Sequence, residues 1–152
     1  MPQKLPYKTF RTIYSKVPRL CVDLVILNKQ NEVLLTFRKI PPKGLWHLPG
    51  GTILFGETPE ETAQRVAKEE LGQKIVIKKL LGIINYDPAS YKRITGIGHP
   101  VSIAYLASLT SNTITLDKQA TKFKFHTKLP QKIFKEQKKF LSKTLYPQRI
   151  NN

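Results

Sequence analysis

Apolar residues follow two rhythms along this chain. From Leu20 to Leu27, LCVDLVIL, they are nearly continuous and rich in branched side chains, the pattern of a buried strand. Asn28-Lys29-Gln30-Asn31 is a turn signal, and Val33–Phe37 reads as the return strand of a hairpin. A Pro-rich loop, IPPKG, then leads through Trp46, His47, Leu48 and Pro49 to the Gly50–Gly51 pair. Next, Ala63, Val66, Ala67 and Leu71 recur at helical spacing. Thr58 suits the N-cap, Pro59 the first helical position, Glu61 completes a capping box and Gly72 supplies the stop, which predicts a helix over Pro59–Leu71. Residues 74–86 read as strand again. Val101–Ala107 and Thr113–Leu116 read as two more, with Ser111-Asn112 as the turn between them, and Thr121–Phe125 as a short strand with alternating lysines. Gln131–Leu145 reads as a second helix, with Ile133, Phe134, Phe140 and Leu141 on one side and most of its lysines on the other. Strands, helix, strands, helix is the order of an α/β fold with a mixed sheet covered by helices.

Composition sets the scale. The 152 residues are one domain's worth, long enough to bury a core without staples. Residues 1–17 form a basic N-terminal segment with interspersed Tyr7, Phe10 and Tyr14, residues 18–145 the folded domain, and 146–152 a tail. The single cysteine, Cys21, cannot form an intramolecular disulfide, which fits a reducing compartment. No run approaches the ~20 apolar residues of a membrane helix, and the first residues hold no apolar stretch of signal-peptide length. The expectation is a soluble, cytoplasmic protein with no membrane partner.

Charge changes the picture more. Lys and Arg number 26 against 10 acids, a net charge of +16. Such a surface attracts polyanions, although the same lysines also serve solubility. Five of the ten acids (Glu57, Glu60, Glu61, Glu69 and Glu70) fall between positions 57 and 70. Clustered carboxylates repel one another unless helix geometry separates them or a cation sits among them.

On the expected helix, Glu69 and Glu70 are neighbours near the C-terminal end, and Arg65 stands one turn before Glu69, placed to pin that carboxylate. Glu57 sits just ahead of the helix, and the paired glycines allow a backbone carbonyl to approach closely. Hard oxygen ligands with room for water and phosphate suit Mg²⁺ or Mn²⁺. An ordinary amphipathic helix with a solvated acidic face explains the composition, but explains the spacing of Gly51, Glu57, Arg65 and the Glu pair less well. Four further residues are candidates for substrate contact. Arg38 could grip a phosphate or be a plain surface arginine. Trp46 could stack on a base or pack beside the helix. His99 could transfer a proton or be structural, and His47 and His126 are the only other histidines. Asp23, costly within an apolar strand unless paired, has Arg38 as one candidate partner and can also position substrate.

The segment GGTILFGETPEETAQRVAKEELG resembles the Nudix box, GX5EX7REUXEEXGU with U aliphatic; Gly51, Glu57, Arg65, Ala67, Glu69, Glu70 and Gly72 fall in register. The resemblance extends over roughly residues 18–145. It implies a Nudix-type α/β/α sandwich with a mixed β-sheet, Glu69 and Glu70 as metal ligands with a carbonyl near Gly50, Arg65 orienting a carboxylate and Glu57 supporting the site. Two positions depart from the pattern: Val66 stands where a Glu is expected and Gln73 where an aliphatic residue is expected. Val22-Asp23-Leu24, Phe37-Arg38 and LWHLPGG are also similar to the GDP-mannose mannosyl hydrolase branch, in which the same Glu is missing. That likeness adds Gln119 as a metal ligand, but Ala120 replaces the branch's base histidine and Thr52 an expected arginine. The reading implied is Mg²⁺-dependent hydrolysis, with Mn²⁺ as a substitute, of a nucleoside diphosphate linked to another group such as the sugar of GDP-mannose. The alternative, motivated by Val66 and Ala120, is an inactive Nudix-fold module binding nucleotide or RNA. On the first reading the partner is an anionic nucleotide substrate rather than nucleic acid, and a homodimer is an allowed assembly.

Overall fold

The computed structural model describes residues 2–41 and 43–145. In chain order its elements are α1 (Tyr7–Tyr14), β1 (Arg19–Ile26), β2 (Val33–Arg38), β3 (Trp46–His47), β4 (Gly50–Thr52), α2 (Pro59–Leu71), β5 (Ile75–Asn85), α3 (Pro88–Thr95), β6 (Pro100–Leu109), β7 (Ala120–His126) and α4 (Lys135–Leu145). The apolar run at 20–27 is continuous because β1 is an interior strand of a four-stranded sheet, order β4-β1-β6-β5. β1 runs parallel to β6, and the other pairings in that sheet are antiparallel, so it is mixed. A second, three-stranded sheet, order β3-β2-β7, is antiparallel throughout.

Alternation along β1 feeds two cores. Val22, Leu24 and Ile26 pack with Ala63, Val66, Ala67 and Leu71 of α2. Val25 points the other way, into a cluster with Leu48, Ile84, Ala104, Phe134 and Leu141. The sheet thus lies between α2 and α4, the layered α/β/α arrangement expected. Each fully buried Leu, Ile or Val contributes roughly 1.5–3 kcal/mol relative to exposure. α2 has the expected bounds: Thr58 accepts from the Glu61 N–H, Glu61 accepts from the Thr58 N–H, and Gly72 closes the helix in the left-handed conformation at φ 64°.

Several expectations need correction. β1 and β2 do not form a hairpin; after the turn the chain enters the other sheet, and only a Leu27–Val33 bridge joins them. Residues 113–116 are not a strand. Thr115 instead donates its N–H to Leu71 O beyond the end of α2, while Ile114 and Leu116 pack on the core. The last helix begins at Lys135 rather than Gln131, because the chain before it is held extended: Trp46 N donates to Lys132 O, and Ile133 bridges to Trp46. The helices α1 and α3 were not expected as such. α1 lies in the basic N-terminal segment, and α3 is capped by the Asp87 carboxylate, which accepts from Ser90 N at 3.0 Å. The expected tail, 146–152, lies outside the described residues. Among the described residues no helix is long and apolar enough to cross a membrane.

Candidate active site

The C-cap and capping box fix α2 at both ends, and the loop before it is fixed by Glu57. That carboxylate accepts from Leu54 N (3.0 Å), Thr62 Oγ1 (2.8 Å) and Arg65 Nε (2.6 Å) and Nη2 (3.0 Å). The Arg65 hydrogen bond holds the Glu57 carboxyl down at about 2. Four hydrogen bonds thus engage the Glu57 carboxylate. Arg65 reaches further: its Nη2 donates to Thr52 O on β4 (2.7 Å) and its Nη1 to Glu69 Oε2 (3.3 Å). One guanidinium therefore ties the glycine strand, the loop and the helix together.

Glu69 and Glu70 both line an open pocket of about 700 Å³, together with Asp23, Arg38, Gly50, Gly51, Arg65 and Gln119. Glu69 is the exposed one, shared between Arg65 and Lys4 Nζ at 2.9 Å. Glu70 is half-buried, and it forms no ion pair among the described residues. Desolvation pushes its carboxyl well above the ordinary range, and the nearby Asp117 adds to this, against a hydrogen bond from Gly50 N. Gly50 is required on steric grounds: a Cβ there would lie 2.2 Å from Asp23 Oδ1 and 2.7 Å from Val22 O.

Beneath the carboxylates runs a buried relay. Leu48 N donates to Gln137 Oε1 (2.8 Å), Gln137 Nε2 to Tyr86 Oη (2.8 Å), and Tyr86 Oη to Asp23 Oδ2 (2.6 Å). The partner of Asp23 is therefore Tyr86, not Arg38. Burial pushes the Asp23 carboxyl up to about 6, against the Tyr86 hydrogen bond. Sequence reasoning missed Gln137 and Tyr86, and also Tyr91 and Arg19, which line the same pocket. A glutamine on the apolar side of a lysine-rich helix was the one available signal, and Gln137 is only 3% exposed.

Trp46 and His99 are not brought to the pocket wall. Trp46 packs edge-on between Phe37 (5.0 Å) and His126 (4.7 Å), and His99 shares a hydrogen bond with Asn85 Oδ1 (2.9 Å).

The donor set fits a lightly held divalent ion. Glu70 is desolvated without a cation partner, Glu69 adjoins it and Gln119 faces the same space. Among the described residues no group of three or more His, Cys, Asp or Glu side chains is arranged to hold a metal. Val66, 2% exposed in the core, occupies the position where a further carboxylate would stand. A hard cation here would draw much of its coordination from water and phosphate, as Mg²⁺ commonly does.

Comparison with known proteins identifies the fold and the family. Residues 17–142 match the family described as the NUDIX domain. The chain is 34% identical to the low-salt glycan biosynthesis protein Agl8 of Haloferax volcanii, covering 80% of this chain and 78% of that protein. It is 35% identical to an ADP-ribose pyrophosphatase of Methanocaldococcus jannaschii, covering 80% and 70% respectively. The crystal structure of a MutT Nudix hydrolase from Burkholderia pseudomallei superposes with a TM-score of 0.69 at 26% identity, over 83% of this chain and 97% of that one. The chain belongs to the Nudix hydrolase family.

Proposed function

We propose that this protein hydrolyses a nucleoside diphosphate joined to a second group, with a sugar nucleotide such as GDP-mannose as the first candidate. The observation that carries the reading is the Arg65 tie, which fixes Glu69 on the pocket wall beside its neighbour Glu70 while engaging Glu57 and Thr52 O. Glu69 and Glu70, with Gln119 and the Gly50 carbonyl, would hold Mg²⁺ or Mn²⁺. When bound, such an ion neutralises phosphate charge and lowers the pKa of a coordinated water. Glu57 and Arg65 keep the carboxylates in place. Asp23, Arg38 and the basic surface orient and attract the anionic substrate. Two relatives bear names consistent with this class, an ADP-ribose pyrophosphatase and a glycan biosynthesis protein.

The test is a panel of nucleoside diphosphate sugars, dinucleotides and oxidised nucleoside triphosphates, with Mg²⁺ or Mn²⁺ and with chelator. Metal-dependent turnover of a diphosphate-linked substrate is expected; full activity in excess chelator overturns the metal reading. Hydrolysis of the sugar nucleotide in ¹⁸O water locates the bond cleaved, label in the sugar meaning attack at carbon and label in phosphate attack at phosphorus. The second reading, an inactive module binding nucleotide or RNA, rests on the buried Val66 side chain and on the absence of a three-carboxylate group among the described residues. Selective RNA binding at physiological salt with no turnover across the panel would favour it.

A further inference from the structure

Two arginines on the pocket wall have no part in the carboxylate machinery. Arg19 opens β1, and Arg38 closes β2. Arg19 donates Nη1 to Thr52 Oγ1 (2.8 Å) and Nη2 to Tyr91 Oη (3.2 Å), and the Phe10 ring lies 5.5 Å from its Cζ. Arg38 donates Nη2 to Pro41 O (2.7 Å) and sets its Cζ 5.9 Å from the Phe134 ring, while its buried Nε has no hydrogen-bond partner among the described residues. The rings of Tyr91 and Phe134 stack, 6.1 Å apart and 22° from parallel. The two guanidiniums therefore contact successive members of one aromatic pair.

An arginine carries five N–H donors in a rigid plane and keeps its charge throughout the physiological range. These two direct three hydrogen bonds at neutral oxygens, and neither forms an ion pair among the described residues. Arg65, which also bonds Thr52, is by contrast matched by two carboxylates. Asp23 and Glu70 reach the pair only through the field, Asp23 already bonded to Tyr86 and Glu70 to Gly50 N. Desolvation presses Arg38 toward its neutral form, and the charge of Arg19 adds to that pressure. Arg19 is desolvated too, but Cys21, Tyr91 and Asp23 hold its charge above the ordinary value, so Arg38 is the cation of the two that an anion would relieve most. A purely structural strut to Thr52 or Pro41 would need neither the charge nor the unspent donors.

We propose that Arg19 and Arg38 form a two-guanidinium anion subsite that takes diphosphate oxygens, working without the metal. The identity of the anion as a diphosphate rests on the hydrolase reading; the existence of the subsite does not. Planar forks pair with phosphate oxygens two at a time, so Arg19 orients as well as attracts. The subsite would hold the diphosphate of the substrate and of the released nucleotide alike.

The test is calorimetric titration of the full chain with inorganic pyrophosphate, and separately with GDP, in excess EDTA. Binding is expected in the wild type. Arg19→Gln and Arg38→Gln should each weaken it at least tenfold, while Glu70→Gln, which removes a negative charge, should leave it unchanged or tighter. Should Arg19→Gln fail to fold, Arg19→Lys keeps the charge and loses the fork, and should still weaken binding severalfold with an unchanged melting temperature. Absence of binding by the wild type in EDTA, or wild-type affinity in folded Arg19 variants, overturns the subsite. Pyrophosphate binding that needs both arginines, alongside no turnover across the substrate panel, upholds the subsite and removes the hydrolase reading. Turnover with KM unmoved by the Arg19 variants does the reverse.

Discussion

Two groups of residues line the pocket: Arg65, Val66, Glu69 and Glu70, all from the stretch Glu57–Glu70, and Arg19, Asp23, Arg38, Tyr86, Tyr91 and Gln137, scattered along the chain. In the first group Glu69 is matched by Arg65 and Lys4, and Arg65 is matched in turn by Glu57. In the second, neutral oxygens hold the arginines and a tyrosine holds the aspartate. The contrast separates two kinds of preorganisation. A matched network fixes positions and costs little in free energy. An unmatched wall keeps charge in reserve for a ligand, and its desolvation is offset by packing elsewhere in the fold. Of the two carboxylates of that stretch that line the pocket, Glu70 is the one left without an ion-pair partner among the described residues.

The largest expected effect follows from that carboxylate. Glu70→Gln keeps the shape and removes the charge, and should lower kcat/KM by roughly a hundred- to thousandfold, about 3–4 kcal/mol of transition-state stabilisation. Steady-state kinetics at saturating Mg²⁺ measures it. Near-wild-type activity would mean that the two groups do not differ in the way described. Next comes Glu57→Gln, which removes the negative charge of a half-buried pair and leaves Arg65 with a neutral amide oxygen, Thr52 O and Glu69. A loss of about 1–3 kcal/mol in unfolding free energy is expected by denaturant titration, together with reduced activity. Unchanged stability would show that the loop holds without the pair.

Legibility followed contiguity. The helix at 59–71 could be read in full because its cap, box, apolar stripe and stop are all local, and local chemistry decides them. The glycine pair and the carboxylates came with it. From the second group Asp23 and Arg38 stood out, but Arg19, Tyr86, Tyr91 and Gln137 did not, because Arg19 meets Tyr91 across a sequence separation of 72 residues and Asp23 meets Tyr86 across 63. Errors arose where tertiary contacts override pattern. The alternating Thr113–Leu116 segment has a strand's rhythm, yet Thr115 is bonded to the end of α2. Ile133 and Phe134 continue the apolar stripe of α4 while lying in extended chain. The turn after β1 was read correctly as a reversal, but nothing local says which sheet the chain enters next.

His47, a third kind of lining residue, sharpens the comparison. It is buried between Thr36 Oγ1 (3.0 Å) and Leu48 O (2.8 Å), and burial holds its imidazole down at about 3. The folded state thus refuses a proton that the unfolded chain accepts near the ordinary value of 6.5. Its contribution is fully present above pH 6.5 and is lost progressively as pH falls toward 3. Asp23, held up at about 6, works in the opposite sense, since the native state takes up its proton first. The difference between wild type and His47→Gln therefore isolates the histidine. The wild type's stability relative to the variant should shrink by about 2 kcal/mol between pH 7 and pH 5. A difference that does not change with pH would place the imidazole proton elsewhere.

The smallest expected effect concerns Lys4, which brings the N-terminal segment to the carboxylate side. Its ammonium lies 2.9 Å from Glu69 Oε2, but the two side chains are 63% and 40% exposed. Water and salt screen such a pair, and its worth is about 0–1 kcal/mol. The ammonium nonetheless touches the oxygen that Arg65 also holds, so Lys4 competes with any divalent cation for Glu69. Lys4→Ala should leave the melting temperature nearly unchanged and tighten Mn²⁺ binding by less than about fivefold, the gain shrinking as salt is added. Electron paramagnetic resonance titration of free Mn²⁺ measures this without reference to turnover. Equal Mn²⁺ affinity in the two proteins at low salt would show that Glu69 is not shared, and would leave Arg65 alone in matching its charge.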